Sequence, residues 1–137
     1  MIVADTSAII ALLDASSEHH GVVRDLYQGH PDAWTLPWAI LPEVDYLVAR
    51  LLGAKVREAF LRDLADGAFV VEWGSDDDLA AARQIDHRCK SLQLGLVDAV
   101  VIATAERLKA DAFATLDLRH FGAVSIKGAP RLLPRDR

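Results

Sequence analysis

Short apolar runs and longer stretches with helical spacing follow one another along the chain. The runs cover residues 2–4, 33–36, 68–73, 112–115 and 123–126. These short runs predict strands. The β-branched residues of the first run, and the helix start that directly follows it, favour a strand that is buried on both faces. Between the runs, apolar side chains recur every three or four residues over residues 8–13, 20–28, 40–52, 55–65, 75–89 and 97–109. This spacing predicts amphipathic helices.

Residues that commonly begin and end helices mark the boundaries of these elements. Thr6 or Ser7 suits the N-cap of the first helix, and Gly53 and Gly67 suit helix ends. Because the predicted strands are separated by helices, the pattern is typical of an α/β fold. We expect a three-layer α/β/α sandwich, in which helices cover both faces of a mostly parallel central sheet.

The length of the chain suits one domain. It has 137 residues, of which 52% are hydrophobic, and it contains no repeat, low-complexity tract or linker. We therefore interpret residues 1–137 as a single domain. Lys127, Arg131, Arg135 and Arg137 lie among prolines near the carboxyl terminus, which predicts an irregular basic tail from about residue 127.

Composition also limits where the protein works. No apolar run approaches the ~20 residues that span a bilayer, and the N-terminus lacks the pattern of a secretory signal. The single cysteine, Cys89, excludes an internal disulfide and fits a reducing compartment, so we expect a cytoplasmic protein with no membrane contact. The net charge of −5 argues against binding nucleic acid through bulk positive charge, but not through metal ions held by carboxylates.

Acidic residues follow predicted strand ends or begin predicted helices. Asp5 ends the first strand and Asp117 follows the fourth, while Glu43 and Asp98 lie in the first turns of helices. In a parallel sheet these positions share the carboxyl edge, where ligands of open α/β sheets bind. Each acid also has an ordinary explanation, because aspartate caps helices and occupies turns, and carboxylates stabilise helix N-termini.

The apolar surroundings of Asp98 and Glu43 favour a functional interpretation. Asp98 stands alone between residues 94–97 and 99–103, which carry no other charge, and no Lys or Arg follows it before Arg107. Buried carboxylates are unfavourable unless they are paired or bind metal. All-oxygen ligation suits Mg²⁺ or Mn²⁺ better than Zn²⁺. Thr6 and Thr115 could orient the acids or a water molecule through their hydroxyls.

Four motifs in this order resemble those of PIN-domain ribonucleases, and most closely those of the VapC toxins. The motifs are residues 2–7, Pro42–Glu43, residues 95–99 and residues 115–121, so the resemblance spans nearly the whole chain to about residue 126. It implies a Mg²⁺- or Mn²⁺-dependent endoribonuclease whose acidic quartet corresponds to Asp5, Glu43, Asp98 and Asp117. Ser7 is a departure, because many relatives carry asparagine there.

The resemblance further implies partners and a substrate. Relatives form homodimers, are inhibited by a VapB-type antitoxin, and cut structured RNA such as tRNA or rRNA, which stops translation. Local basic positions would then help to hold RNA, and the candidates are Arg50, Lys55, Arg57, Lys90 and Arg119. The alternatives are a Mg²⁺-dependent phosphatase or phosphotransferase and a PIN-like binding domain without catalysis. A dehalogenase-type phosphatase would have a second aspartate at the position of Ser7.

The mechanism we expect is hydrolysis by water rather than attack by the neighbouring 2′-hydroxyl of RNA. The latter reaction is usually served by a general acid and base that titrate near neutrality, often two histidines. Of the five histidines, only His120 lies near a proposed ligand. Four acids instead suit one or two divalent ions, so we expect products with a 5′-phosphate and a 3′-hydroxyl.

Overall fold

The computed structural model describes residues 1–137. Its five strands are β1 (Ile2–Ala4), β2 (Trp34–Pro37), β3 (Val70–Glu72), β4 (Ala112–Ala114) and β5 (Arg131–Leu133). Its α-helices are α1 (Thr6–Leu13), α2 (His20–Gly29), α3 (Leu41–Leu51), α4 (Ala54–Ala65), α5 (Asp78–Arg88), α6 (Gly95–Leu108) and α7 (Leu118–Phe121). Three short 3₁₀ turns precede β2, α3 and α6. None of the helices is long and apolar enough to cross a membrane.

All five strands are parallel, in the order β3-β2-β1-β4-β5. The predicted α/β/α sandwich with a parallel sheet is therefore confirmed. Strand β1 lies at the centre of the sheet, and its three apolar residues are buried there. Its last residue, Ala4, pairs with Ala114 of β4, so the segments that follow these two strands leave the sheet side by side.

The core consists of large apolar side chains contributed by both strands and helices. Trp34 and Phe113 on the strands, and Phe60 and Phe121 on the helices, are almost completely buried. Burial of each such side chain contributes about 1.5–3 kcal/mol of hydrophobic stabilisation. Phe113 and Phe121 lie 4.8 Å apart between ring centroids. This contact packs the short helix α7 against β4 and fixes the segment that carries Asp117.

The fifth strand was predicted at the wrong place. Residues 123–126 form no strand, although Ile126 is buried, and the strand lies instead at Arg131–Leu133, inside the segment predicted to be an irregular basic tail. Leu132 and Leu133 are buried beside β4, while Arg131 remains exposed. Burial of the two leucines explains why this segment forms a strand. The strand was missed in the sequence because prolines and charged residues surround these leucines. Pro134 follows directly, which suits an edge strand.

The start of the first helix also differs from the prediction. The N-cap is Asp5 rather than Thr6 or Ser7, because Asp5 has extended backbone angles and its side chain accepts a hydrogen bond from the Ala8 amide. Helix α1 therefore begins at Thr6, directly after the strand residue Ala4 and the cap. This short connection holds the Asp5 carboxylate at the carboxyl edge of the sheet.

Candidate active site

A cavity of about 380 Å³ opens at the carboxyl edge of the sheet, and all four predicted acids line it. Asp5 enters from the end of β1 and Asp117 from the segment after β4, while Glu43 and Asp98 come from the first turns of α3 and α6. Parallel strands direct all of these segments toward one edge. No Lys or Arg lines the cavity. The structure thus gathers the four carboxylates around a space without a cationic side chain.

Asp5 is the most enclosed of the four acids, with 4% of its surface exposed. Its Oδ1 accepts hydrogen bonds from Ser7 Oγ at 2.7 Å and from the Ala8 amide at 3.1 Å, and its Oδ2 accepts one from Thr115 Oγ1 at 2.7 Å. Three donors on two oxygens fix the plane of the carboxylate. Since a carboxylate offers about four acceptor positions, one position, on Oδ2, is still free for a further ligand.

Two hydroxyl groups connect Asp5 to the segment that follows β4. The amide of Leu116 donates to Ser7 Oγ at 2.9 Å, and the amide of Asp117 donates to Thr115 Oγ1 at 2.9 Å. Because each hydroxyl already accepts an amide proton, its own proton points toward Asp5. Thr115 therefore contacts an acid, as the prediction required. Ser7 was noted in the sequence only as a departure from the family motif. Its hydroxyl donates to the other oxygen of the same carboxylate, Asp5 Oδ1.

Burial shifts the protonation of the two innermost acids. Loss of hydration raises the pKa of Asp5 to about 6, against the lowering effect of its hydrogen bonds from Thr115, Ser7 and Ala8. Loss of hydration also raises the pKa of Asp98, and the neighbouring Asp117 and Glu43 charges raise it further. Both groups would be relieved by a cation in the cavity, because a nearby positive charge favours the carboxylate.

Asp98 and Asp117 share a histidine that the sequence analysis did not include in the site. His120 Nδ1 lies 3.1 Å from Asp98 Oδ2 and 3.2 Å from Asp117 Oδ2. Asp117 also caps α7 by accepting a hydrogen bond from the His120 amide at 3.2 Å. The three-residue spacing between Asp117 and His120 is the signal that could have identified this contact, because it places both side chains on one turn of the chain.

A further acid and an unpartnered hydroxyl complete the cavity wall. Asp14, which follows α1, lines the same cavity and was also missed from the sequence, where it looks like an ordinary helix end. Its nearest partner is Ser16, whose hydroxyl donates to Asp14 Oδ1 at 2.6 Å. Thr6 also lines the cavity, but its buried Oγ1 has no hydrogen-bond partner, so it does not hydrogen-bond to the acids that it was predicted to orient.

These donors fit a hard divalent cation. Carboxylate oxygens from several directions are the ligands that Mg²⁺ and Mn²⁺ use, and the orphaned Thr6 hydroxyl marks a place where the wall lacks a polar neighbour. Asp98, Asp117 and His120 by themselves offer three ligand atoms within 4.8 Å of one another. The arrangement can therefore hold a metal ion and present it to an anionic substrate.

The basic residues proposed to hold RNA differ in availability. Arg57 is engaged in an ion pair, with its Nε 2.6 Å from Asp45 Oδ1. Arg119 and Lys90 are exposed and form no ion pair in the structure, and Arg119 lines a shallow cleft with Ser91, Gln93 and His120. Since His120 also contacts Asp98, this cleft adjoins the acidic cavity. Arg119 is therefore better placed than Arg57 to meet a phosphate group near the acids.

Comparison with known proteins identifies the family of this fold and site. The family model described as PIN domain matches residues 2–127. The chain belongs to the PIN-domain family. Ribonuclease VapC26 from Mycobacterium tuberculosis is 32% identical over 130 residues, a match that covers 95% of this chain and 96% of that protein. The resemblance to VapC-type PIN domains that the sequence motifs indicated is therefore confirmed.

Solved structures of PIN-domain proteins share the same architecture. VapC20 from M. tuberculosis, described as a sarcin–ricin loop cleaving toxin, superposes with a TM-score of 0.75 at 23% identity, covering 82% of this chain and 87% of that one. DNA-bound VapBC from Salmonella typhimurium gives a TM-score of 0.72 at 18% identity and covers 96% and 95%. FitAcB from Neisseria gonorrhoeae gives 0.69 at 20% identity and covers 96% of each chain. These similarities establish the shared fold.

Proposed function

We propose that this PIN-domain protein is a Mg²⁺- or Mn²⁺-dependent endoribonuclease and the toxin of a toxin–antitoxin pair. The observation that carries the proposal is the group of four carboxylates, Asp5, Glu43, Asp98 and Asp117, around one cavity without a Lys or Arg. An uncompensated acidic cavity repels RNA by itself, so it suits a reaction in which divalent cations mediate between carboxylates and phosphate. The 32% identity to a ribonuclease over nearly the whole chain supports the same activity.

The residues divide the task according to their surroundings. Asp5 is held rigidly by three donors and provides a fixed oxygen pair at the base of the cavity. Asp98, Asp117 and Glu43 are less buried and face the entering substrate. A bound divalent ion supplies activation of a water molecule and stabilisation of charge on the phosphate and the leaving oxygen. Cleavage then leaves a 5′-phosphate and a 3′-hydroxyl.

The test is RNA cleavage by the purified chain with EDTA, with Mg²⁺ and with Mn²⁺, followed by analysis of the new RNA ends. We expect cleavage only with added metal and 5′-phosphate ends. Cleavage that survives EDTA, or ends carrying a 2′,3′-cyclic phosphate, would overturn the mechanism. Metal-dependent release of phosphate from a monoester, without RNA cleavage, would instead favour the phosphatase alternative.

The proposed substrate is structured RNA, either tRNA or rRNA. The sarcin–ricin loop activity in the description of VapC20 supports rRNA as one candidate, and its 23% identity to this chain leaves tRNA equally open. Incubation of the chain with total tRNA and with ribosomes, followed by mapping of new 5′ ends, separates the two. We expect cleavage at one or a few sites, because a toxin that stops translation acts on a defined RNA.

The proposed protein partner is a VapB-type antitoxin. The likeness of this fold to the DNA-bound VapBC structure supports such a partner. Co-expression with the protein encoded beside this chain should yield a stable complex whose RNA cleavage is suppressed. If the neighbouring protein neither copurifies with the chain nor lowers its activity, the toxin–antitoxin assignment fails while the ribonuclease assignment remains.

The free chain is proposed to form a homodimer through an exposed apolar face. This face comprises Trp38, Trp73, Leu79 and Leu96, which line one groove, and Trp38 and Trp73 are 47% and 72% exposed. Exposed clusters of large apolar side chains usually mark protein interfaces. Sedimentation at micromolar concentration should give a dimer, and Trp73→Glu should give a monomer. Leu61→Glu, which changes an exposed leucine on α4, is the matched control and should leave the dimer intact.

A further inference from the structure

Among the side chains that could bind a metal ion at the acidic cavity, only His120 offers a nitrogen atom as the ligand. The cluster that could hold an ion contains Asp98, Asp117 and His120, all partly buried. The His120 side chain is only 18% exposed, and its Nδ1 faces both carboxylates. Its other ring nitrogen makes no hydrogen bond within the protein. The imidazole is thus oriented by the two acids toward the position that a metal ion would share with them.

The distances from His120 Nδ1 to the two carboxylates match the separation of ligands that share one metal ion. Nδ1 lies 3.1 Å from Asp98 Oδ2 and 3.2 Å from Asp117 Oδ2. Neighbouring ligand atoms around an octahedral ion at ~2.1 Å are about 3 Å apart, so both distances fit adjacent corners of one octahedron. A purely positional role would need one N–H group to serve two carboxylates at once. As a ligand, the nitrogen lone pair and both carboxylates would meet at one cation.

We propose that His120 Nδ1 is a direct ligand of the metal ion, beside Asp98 and Asp117, and that it makes the site select Mn²⁺ over Mg²⁺. The inference rests on the proposed metal dependence of the ribonuclease. Mg²⁺ takes oxygen ligands almost exclusively and keeps several waters, whereas imidazole binds first-row transition ions well. Replacing one oxygen by an imidazole nitrogen therefore favours Mn²⁺ while adding little for Mg²⁺.

The first experiment detects the bond directly. Mn²⁺ bound to the full chain is studied by pulsed EPR, which registers the hyperfine coupling of a coordinated imidazole nitrogen. We expect this coupling in the wild-type protein, and we expect it to change when the histidine nitrogens are isotopically labelled. Mn²⁺ that binds without a nitrogen coupling overturns the inference but leaves the proposed ribonuclease intact. Failure of the wild type to bind Mn²⁺ or Mg²⁺ overturns both.

The second experiment separates a ligand from a positioning residue. His120→Asn retains an N–H donor near the position of Nδ1, so it can preserve hydrogen bonds to the two acids but offers no nitrogen ligand. His87→Asn, at an exposed position of α5, is the matched control. Dissociation constants for Mn²⁺ and Mg²⁺ are measured by calorimetry for all three proteins, and circular dichroism verifies that each is folded.

We expect His120→Asn to weaken Mn²⁺ binding by at least about tenfold, the effect that even outer-shell partners of metal ligands commonly have. Its Mg²⁺ affinity should change little, so the preference for Mn²⁺ should largely disappear. His87→Asn should bind both ions as the wild type does. Equal weakening of Mn²⁺ and Mg²⁺ binding, or wild-type affinity for both ions in His120→Asn, would show that His120 only positions the carboxylates and would overturn the inference.

Discussion

A cluster of carboxylates lies at each end of helix α6. The acids at one end are paired with an arginine, whereas those at the other end have no cationic side chain beside them. Near its C-terminus, Arg107 Nε donates to Asp78 Oδ1 at 2.8 Å, and Arg107 Nη2 donates to Glu72 Oε1 at 2.7 Å and to Asp78 Oδ2 at 3.1 Å. The hydrogen bonds that Arg107 donates to Asp78 and Glu72 raise the pKa of its guanidinium, and these contacts join β3, α5 and α6. Both carboxylates of this cluster are therefore paired with an arginine of the same chain.

At the N-terminal end of the same helix, Asp98 faces a cavity lined only by acids among its charged groups. There the largest effect on Asp5 and on Asp98 is loss of hydration, which raises the pKa of both. A buried carboxylate that is paired with an arginine is explained by its role in the fold. A cleft of acids with raised pKa values and no cationic side chain is instead typical of a functional site. The contrast between the two ends separates the acids that hold the fold from those available to a metal ion.

The largest expected effect concerns activity and is confined to the acidic end. Asp98→Asn should lower RNA cleavage by about a hundredfold to a thousandfold, the usual effect of removing one electrostatic contact at a reacting centre. The measurement is the rate of single-turnover cleavage at saturating Mn²⁺. Asp86→Asn on the exposed side of α5 is the control and should retain activity. Comparable losses in both variants would contradict the assignment of Asp98 to the site.

The next effect is on stability and is confined to the other end of α6. Arg107→Met should lower the free energy of unfolding by about 3 kcal/mol, because it leaves Asp78 buried without its counter-charge. Arg62→Met removes an exposed pair with Glu58 and should change stability by less than about 0.5 kcal/mol. Urea unfolding measures both. If Arg107→Met were as mild as Arg62→Met, the Arg107 cluster would not be a structural ion pair.

The acidic site was largely predictable from sequence because topology alone brings its parts together. Once strands and helices alternate, Asp5, Glu43, Asp98 and Asp117 must reach one edge of a parallel sheet. The contacts that depend on tertiary packing were not predictable in this way. The hydroxyl of Ser7 reaches Leu116, and His120 reaches Asp98, only because β1 and β4 pair and α7 folds back onto the core.

The fifth strand and the Arg107 cluster were missed for a similar reason. Strand β5 has only three residues and depends on pairing with β4, so its own sequence carries little periodicity. In the sequence, Arg107 was noted only as the first basic residue after Asp98, nine positions further along and too distant to be its local partner. It instead contacts Asp78 and Glu72 from other elements, which no local spacing indicates.

A third prediction concerns how the stability of the metal-free protein depends on pH through Asp5 at the acidic end. The pKa of Asp5 rises from 3.8 in the unfolded chain to about 6 in the native state, so the native state binds the proton more tightly. Its contribution to stability is therefore present below about pH 4 and is lost as the pH rises toward 6. In EDTA, wild-type stability relative to Asp5→Asn should fall by about 2 kcal/mol across this range.

The comparison with Asp5→Asn is needed because other carboxylates titrate over the same range in the opposite sense. Their contribution is common to both proteins and cancels in the difference between the two unfolding free energies. Saturating Mn²⁺ should remove the fall, because the ion stabilises the Asp5 carboxylate in the native state. A difference that is independent of pH in EDTA would contradict the raised pKa of Asp5.

The smallest expected effect reverses the usual consequence of removing a buried polar contact. Loss of hydration and the charges of Asp117 and Glu43 outweigh the favourable contact with His120, so the native state favours neutral Asp98. Asp98→Asn should therefore raise the metal-free free energy of unfolding by about 1 kcal/mol, the order of the repulsion between two unit charges ~4 Å apart in water. Thermal unfolding in EDTA measures this increase as a rise of a few degrees in Tm.

The Tm of Asp98→Asn should rise less than that of the wild type when Mn²⁺ is added, because a ligand that binds only the native state stabilises it more when it binds more tightly. Asp78→Asn on α5 removes the partner of Arg107 at the other end of α6, and it should do the reverse, with lower metal-free stability and an unchanged Mn²⁺ response. Two variants that both lose stability and both keep the full metal response would remove the distinction between the two ends of the helix.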